Sequence, residues 1–255
     1  METLFSGWDA PMVRACLQGR MGRVQTLGVD SALASIGDFC FLAGEPVPEL
    51  VERTDAPILV PGSAGWEELI RRMLGERAVP FTRYAVCCRP GDLQEDKLIR
   101  FTRSLPQGFR IQPVGREIYF TLMEEEWAWD LCGCFADAEE FLEQGLGFVV
   151  TRGSLLVAGA CSYAVCDRAI EIEIDTRPDF RRMGLAKACG ARLILECLAR
   201  GIYPGWDAHN EQSLALAEKL GYRLDHPYTA FWVEEKVRYQ REPEHKLKEK
   251  SQTAT

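Results

Sequence analysis

Apolar residues follow two spacings along the chain, that of a strand and that of a helix. In the N-terminal part, short apolar runs predict strands at 36–42, 56–60 and 79–87. Between the last two, apolar residues at helical spacing predict a helix capped by Ser63 and ended by Gly75. A further helix is predicted from the capping-box pair Asp92 and Glu95 to about Ser104. This part is therefore predicted to be α/β.

The segment 104–115, SLPQGFRIQPVG, contains two prolines and two glycines and interrupts the periodic pattern. Interruptions of this kind are typical of boundaries between folding units. We therefore predict an N-terminal α/β domain at 1–110 and a second domain at 111–240. The charged residues 241–255 are expected to form a disordered tail.

The second unit is predicted to be a mostly antiparallel sheet flanked by helices. Helices are expected at 117–130 and from the capping residues Asp137 and Glu140 to Gly145. Three strands joined by short turns are expected at 148–150, 155–165 and 170–175. An almost wholly apolar helix at 185–198, a strand at 202–207, a helix at 211–220 and a closing strand at 228–233 complete the pattern.

Composition and charge narrow the classes of function. The net charge of −8 argues against a nucleic-acid partner, whereas it is compatible with a cationic, amine-bearing acceptor. No apolar run reaches the roughly 20 residues that span a membrane, and the start METLFSGWDA lacks a signal pattern, so a cytoplasmic protein without membrane contact is expected. The ten cysteines have no framework spacing, which favours reduced thiols. Cys132 and Cys134 have no partner pair at ligand spacing, so no metal site is predicted.

The segment RRMGLA precedes the apolar helix directly. The first amides of a helix lack internal partners and bind phosphate oxygens, and a glycine lets phosphate approach the backbone. A pyrophosphate site is therefore predicted on Arg181, Arg182, Met183, Gly184, Leu185 and Ala186. The motif alone leaves open a plain basic helix cap followed by a small packing residue.

The order of hairpin, strand, RRMGLA, buried helix, strand and DAHNEQSLALAEKLGY resembles that of the GCN5-related N-acetyltransferases (GNAT). The second motif matches the family spacing at Asn210, Ser213, Leu216, Gly221 and Tyr222. The resemblance covers residues 110–235. The strings GDFCFLAGEP, LCGCF, IEIEIDT and GIYPGWDAHN further resemble a bacterial subgroup with an extra N-terminal α/β domain.

The resemblance implies a GNAT fold and acetyl-CoA as the cofactor. It places the pyrophosphate on 181–186 and pairs the pantetheine amides with the strand end Ile174, Asp175 and Thr176. Asn210 and Ser213 would flank the pantetheine arm or the phosphates. On local preference alone, Asn210 serves equally as a helix cap and Ser213 as a small packing residue.

Acidic side chains alternate with isoleucines along the strand 170–175. Glu171, Glu173 and Asp175 therefore share one face, and like charges at this spacing raise one another's pKa. We predict Glu173, and after it Glu171, as the base that accepts the amine proton; the alternative is a solvated sheet face. Asp207 binds the acceptor amine or caps the next helix, and His209 is interpreted as a surface residue.

Many family members carry a tyrosine seven residues after the asparagine, and this chain has Ala217 there. The acid for the leaving thiolate is left open between Tyr163, Tyr222 and water, or the thiolate leaves unprotonated. The main hypothesis is an N-acetyltransferase acting on a primary amine of a small molecule or peptide. The alternative is a catalytically inactive acyl-CoA sensor.

Two further features have open roles. The N-terminal unit closes over the acceptor, forms a homodimer contact or extends the scaffold. Trp127, Trp129 and Phe135 line an acceptor pocket or belong to the core, and aromatic residues at these spacings are more often core.

Overall fold

The computed structural model of the chain describes residues 2–89 and 91–233. The strands are β1 Arg23–Leu27, β2 Ser31–Ile36, β3 Phe39–Gly44, β4 Ile58–Pro61, β5 Ala78–Cys87, β6 Phe109–Pro113, β7 Gly147–Arg152, β8 Leu155–Cys166, β9 Ala169–Thr176, β10 Tyr203–Gly205, β11 Asp207–Ala208 and β12 Arg223–Val233. The helices are α1 Pro11–Leu17, α2 Pro48–Arg53, α3 Ala64–Leu74, α4 Glu95–Thr102, α5 Arg116–Glu124, α6 Ala138–Gln144, α7 Leu185–Ala199 and α8 Glu211–Leu220. Among these helices, none is long and apolar enough to cross a membrane.

The first sheet has the strand order β1-β2-β3-β4-β12-β5-β11. Its pairs are antiparallel except for β3 with β4. Strands β11 and β12 follow residue 200, so this sheet combines segments from both ends of the chain. The division into domains at residue 110 stays a prediction.

The second sheet has the order β10-β9-β8-β7-β6 and is antiparallel except for β9 with β10. Helix α7 packs against β7, β8 and β9, and most of its apolar residues are buried there. Helix α1 contacts β2 of the first sheet and β8 of the second. The largest buried cluster therefore continues from one sheet to the other.

The predicted α/β class and the mostly antiparallel second sheet are confirmed. The helix predicted between Ser63 and Gly75 is confirmed as α3. Asp137 caps α6, because its Oδ1 accepts the Glu140 amide at 2.9 Å. The predicted tail at 241–255 lies outside the described residues.

The strand predicted at 36–42 is confirmed only at 39–42, because a hairpin turn separates Ile36 from the rest. Strand β2 ends at Ile36, and β3 returns antiparallel from Phe39. Gly37 has a φ of 49°, a left-handed conformation that favours glycine. An apolar run on both sides of the turn concealed it, since both strands are buried on both faces.

The capping-box prediction at Asp92 is also wrong. Helix α4 begins at Glu95, and the Asp92 carboxylate instead accepts the Arg89 amide at 2.9 Å and pairs with Arg223. The predicted boundary segment 104–115 contains strand β6, which extends the second sheet. The helix predicted at 117–130 ends at Glu124, and a separate 3-10 turn follows at Trp129–Leu131.

The strand predicted at 202–207 is divided at Trp206. Its first part, β10, pairs with β9 in the second sheet, whereas β11 pairs with β5 in the first. The closing strand is longer than predicted and begins at Arg223 rather than at residue 228. Pairing across the fold decides both differences, and a local apolar pattern carries no information about it.

Candidate active site

The two sheets separate at a fork between β9 and β10. Their pairing ends at Glu171 opposite Gly205, and Trp206 then carries the chain into the first sheet. The Trp206 indole is buried, donates from Nε1 to Ser213 Oγ at 3.3 Å and packs edge-on to the Tyr222 ring. Beyond Glu171, β9 pairs with no strand on this side within residues 2–89 and 91–233, so its backbone edge faces an open cleft.

The start of α7 forms one end of the cleft. The loop before the helix ends with Gly184 as N-cap at a φ of 79°, and Arg182 also has a positive φ of 63°. A Cβ on Gly184 would meet no atom within 4 Å, so this position opens onto free space. The first helical amides therefore point to a region that a phosphate group can approach.

The cleft has a volume of about 910 Å³, within the usual range for small-molecule sites. Of the residues predicted for the site, most lie on its wall: Glu173, Ile174, Asp175, Thr176, Arg181, Arg182, Gly184, Leu185, Ala186, Asp207, Asn210 and Ser213. Glu171 is buried behind the wall at 4% exposure, and the Met183 side chain is exposed. The structure thus brings the two sequence motifs and the acidic strand together.

Charge is divided between the two ends of the cleft. Arg181, Arg182, Lys187 and Lys219 lie at the end near α7 and α8. The other end has Asp38, Asp130, Glu173 and Asp175 on its wall, together with the buried ion pair of Arg83 and Asp207. A polyanionic cofactor and a cationic acceptor are therefore each complementary to one end.

The acidic face of β9 turns toward the cleft and has perturbed acidity. Burial, then Asp175 and Asp130, raise the pKa of Glu173 to about 8. Burial and Asp130 raise the pKa of Asp175 to about 6. Burial, with Asp207 next, raises the pKa of Glu171, and one Glu171 oxygen is buried with no hydrogen-bond partner. Carboxyl groups of this kind are typical of proton-transfer sites.

A buried arginine from the first sheet holds Asp207. Arg83 Nε donates to Asp207 Oδ1 at 2.6 Å, and Tyr228 Oη donates to Oδ2 at 2.7 Å. Burial raises the pKa of Asp207, whereas Arg83 and the Tyr228 hydroxyl oppose that shift. Both oxygens have partners, and the helix-cap alternative for Asp207 is wrong because Asn210 takes that position.

Asn210 and Ser213 line the wall opposite β9 while serving the fold. Asn210 Oδ1 accepts the Ser213 amide at 2.9 Å and caps α8. Ser213 Oγ accepts from the Trp206 indole. The structural interpretation of Asn210 is therefore confirmed, and a contact of either residue with a ligand stays a prediction.

The two candidate tyrosines for the acid differ in position. Tyr222 is buried, and its hydroxyl donates to the Pro204 carbonyl at 2.7 Å, away from the cleft wall. Tyr163 is placed by a bulge in β8 and reaches the cleft, where its hydroxyl accepts the Asp38 amide at 2.9 Å. Ala217 is fully buried in α8.

Sequence reasoning missed several residues of the cleft. No sequence pattern indicated Arg83 as a cleft residue, because it lies in a strand of the first sheet far from either motif. His209 is exposed, as interpreted, but it is exposed on the cleft wall. Of the three aromatic residues considered for an acceptor pocket, Phe135 is in the core, Trp129 is on the surface and Trp127 donates a hydrogen bond to Glu125. Their neighbour Asp130 lines the cleft instead.

Comparison with known proteins agrees with this geometry. A sequence model of the family described as GNAT acetyltransferase matches residues 2–231. A GCN5-related N-acetyltransferase-like protein from Streptococcus suis is 42% identical, with a TM-score of 0.87 over 91% of this chain and 96% of that one. YdfB of Bacillus subtilis, an uncharacterized N-acetyltransferase, is 27% identical over 75% of this chain and 71% of its own length.

A shorter match joins the chain to an Escherichia coli enzyme. The ribosomal protein bS18 alanine N-acetyltransferase is 35% identical over 83 residues, which are 31% of this chain and 56% of that protein. The comparisons give no support to the alternative of an inactive acyl-CoA sensor.

Proposed function

Because the chain belongs to the GNAT acetyltransferase family, we propose that it transfers an acetyl group from acetyl-CoA to a primary amine. One observation carries the proposal: the fork between β9 and β10. There, an unpaired strand edge, the start of α7 and a carboxyl group of raised pKa meet in one cleft. These are the parts that thioester binding and amine deprotonation require.

The residues at the basic end fit the cofactor. The loop from Arg181 to Ala186 and the first amides of α7 would hold the pyrophosphate, assisted by the charge of Arg181 and Arg182. The exposed Met183 would contribute only backbone. The free edge of β9 at Ile174, Asp175 and Thr176 would pair with the pantetheine amides, opposite Asn210 and Ser213. The bound cofactor supplies the thioester that the amine attacks.

The acidic end supplies the base. An incoming ammonium group favours the ionised form of Glu173, which then takes one of its protons. The lone pair of the neutral amine attacks the thioester carbonyl carbon, the electrons of the carbon–sulfur bond leave with sulfur, and the second proton of the nitrogen passes to the thiolate through water. Glu171 lies behind the wall and Asp207 is paired with Arg83, so we assign direct proton transfer to Glu173.

The acceptor is a cationic amine in this proposal, because four acidic side chains, Asp38, Asp130, Glu173 and Asp175, line that end of the cleft. Small-molecule amines, peptide N-termini and lysine side chains all carry that group. Incubation of the protein with acetyl-CoA and a panel of all three, while free thiol is measured, tests the activity. Thiol release above hydrolysis that depends on the amine is expected, and its absence across the panel would contradict the proposal.

A pair of glycine variants tests the cofactor site. Gly184→Glu should abolish binding of CoA, since a carboxylate on the loop repels phosphate and fills the space it needs. Gly201→Glu is the matched control, with a φ of 66° and no atom within 4 Å of a Cβ, at the far end of α7. Calorimetry should show binding lost only in the first variant. Equal binding by both variants would place the phosphates elsewhere.

A further inference from the structure

The ring of His209 has a fixed arrangement of protons. Its Nδ1 lies 3.2 Å from Nη1 of Arg83. An arginine side chain only donates hydrogen bonds, so Nδ1 must be the acceptor and carries no proton. In the neutral ring the single proton is therefore on Nε2.

Arg83 is itself immobilised, so it keeps the ring in this state. Arg83 is 6% exposed, and its guanidinium bonds through Nε to Asp207 Oδ1 at 2.6 Å and through Nη2 to the Asp207 carbonyl at 3.3 Å. It also stacks over Phe39 at 4.7 Å from the ring centroid. Its position does not depend on His209.

Burial and the neighbouring Arg83 charge favour the neutral imidazole. The groups that face it are Arg83 from β5, Asp207 from β11 and, through Asp207, the Tyr228 hydroxyl from β12. Burial and Arg83 lower the pKa of His209, and Asp207 only partly opposes them. The Phe81 ring packs against the imidazole at 5.7 Å.

The ring stands beside the proposed reaction centre. The last residues paired before the fork are Glu171 and Gly205. Glu173 follows Glu171 by two residues, and His209 follows Gly205 by four. The Arg83 guanidinium, which bonds His209, also lowers the pKa of Glu173, so both groups lie within its reach. Within the described chain Nε2 has no hydrogen-bond partner, and the residue is exposed on the cleft wall.

We propose that His209 is a catalytic residue whose Nε2–H donates a hydrogen bond to the thioester carbonyl oxygen, where negative charge develops as the amine attacks. The inference rests on the proposed acetyl transfer. One proton of the ammonium group goes to Glu173, the electrons of the broken bond go to sulfur, the second nitrogen proton reaches the thiolate through water, and His209 keeps its own proton throughout. A neutral imidazole acts here as a hydrogen-bond donor rather than as an acid.

Nitrogen NMR of the full-length protein tests the tautomer without any turnover. The chain has three histidines, and the His209 signals are those that disappear in His209→Gln. We expect a neutral ring protonated on Nε2 at pH 7, with a pKa below 6.5. A proton on Nδ1, or a charged ring at pH 7, would overturn the inference.

Kinetics with an accepted amine test the catalytic role. His209→Ala should lower kcat by about 10- to 100-fold while the dissociation constant of CoA changes less than about twofold, because the bond forms only as charge develops. His209→Gln should recover part of kcat, since its amide also donates. His226→Ala, an exposed histidine paired with Asp225, is the control.

The outcomes separate this inference from the proposed function. If the parent protein releases thiol with an amine and His209→Ala keeps its kcat, only the role of His209 is refuted. If both variants lose CoA binding along with activity, the residue is structural and the inference is again refuted. If the parent itself shows no amine-dependent release, acetyl transfer is refuted, and the role of His209 with it.

Discussion

Replacing Glu173 with glutamine should make the protein more stable at high pH. The pKa of Glu173 is raised from 4.5 to about 8, first by burial and then by Asp175 and Asp130. Between these pH values the unfolded chain has lost the proton while the folded chain keeps it. The free energy of unfolding therefore falls as pH rises from 4.5 to 8 and levels off above 8. Glutamine keeps the shape and the hydrogen bond from the Ile174 amide but has no proton to lose.

The size of the effect follows from the same values. At about 1.4 kcal/mol for each tenfold change, the full difference sets a ceiling of about 5 kcal/mol. Glu173 is partly exposed, and two other carboxyl groups contribute to its raised pKa. We therefore expect Glu173→Gln to increase the free energy of unfolding by about 1–3 kcal/mol at pH 8.5 and by almost nothing at pH 5. That gain corresponds to about 2–10 °C in the melting temperature of a domain of this size.

Denaturant unfolding of the parent and the variant at pH 5, 7 and 8.5 measures this difference. Glu143→Gln, at an exposed position on α6, is the control and should show no gain that grows with pH. Parallel curves for parent and Glu173→Gln would show that the carboxyl group has ordinary acidity. The same variant should lose amine-dependent thiol release. A stable but fully active variant would remove Glu173 from the proposed mechanism.

Two other substitutions test residues that support the cleft wall. Gly37→Ala should cost about 2–4 kcal/mol of stability, because its φ is positive and the new Cβ would lie 2.1 Å from the Tyr163 hydroxyl oxygen. Gly28→Ala, with a similar φ of 64° but open space, should cost only about 1 kcal/mol in the same thermal unfolding assay, and equal losses would refute the steric argument. Tyr222→Phe should cost about 1 kcal/mol by removing the bond to the Pro204 carbonyl, and should leave the pH profile of kcat unchanged. A shifted profile would make Tyr222 part of the proton path.

The sequence by itself was sufficient to predict those elements that depend on interactions between near neighbours in the chain. The apolar helix α7, the cap Asp137 and the alternation along β9 follow from spacing and side-chain chemistry between near neighbours. The RRMGLA loop could be placed for the same reason, because a helix start and its glycine lie within six residues. These elements contain the residues of the basic end of the cleft and the candidate base Glu173.

Tertiary structure alone decided the fork and its buried charge. The strand divides at Trp206, directly after Pro204 and Gly205, because β10 finds its hydrogen bonds in one sheet and β11 in the other. Arg83 and Asp207 are 124 residues apart, yet they meet because β5 and β11 are neighbours. Pairing partners at such separation leave no local pattern, since strand pairing depends on which edges the whole fold brings together.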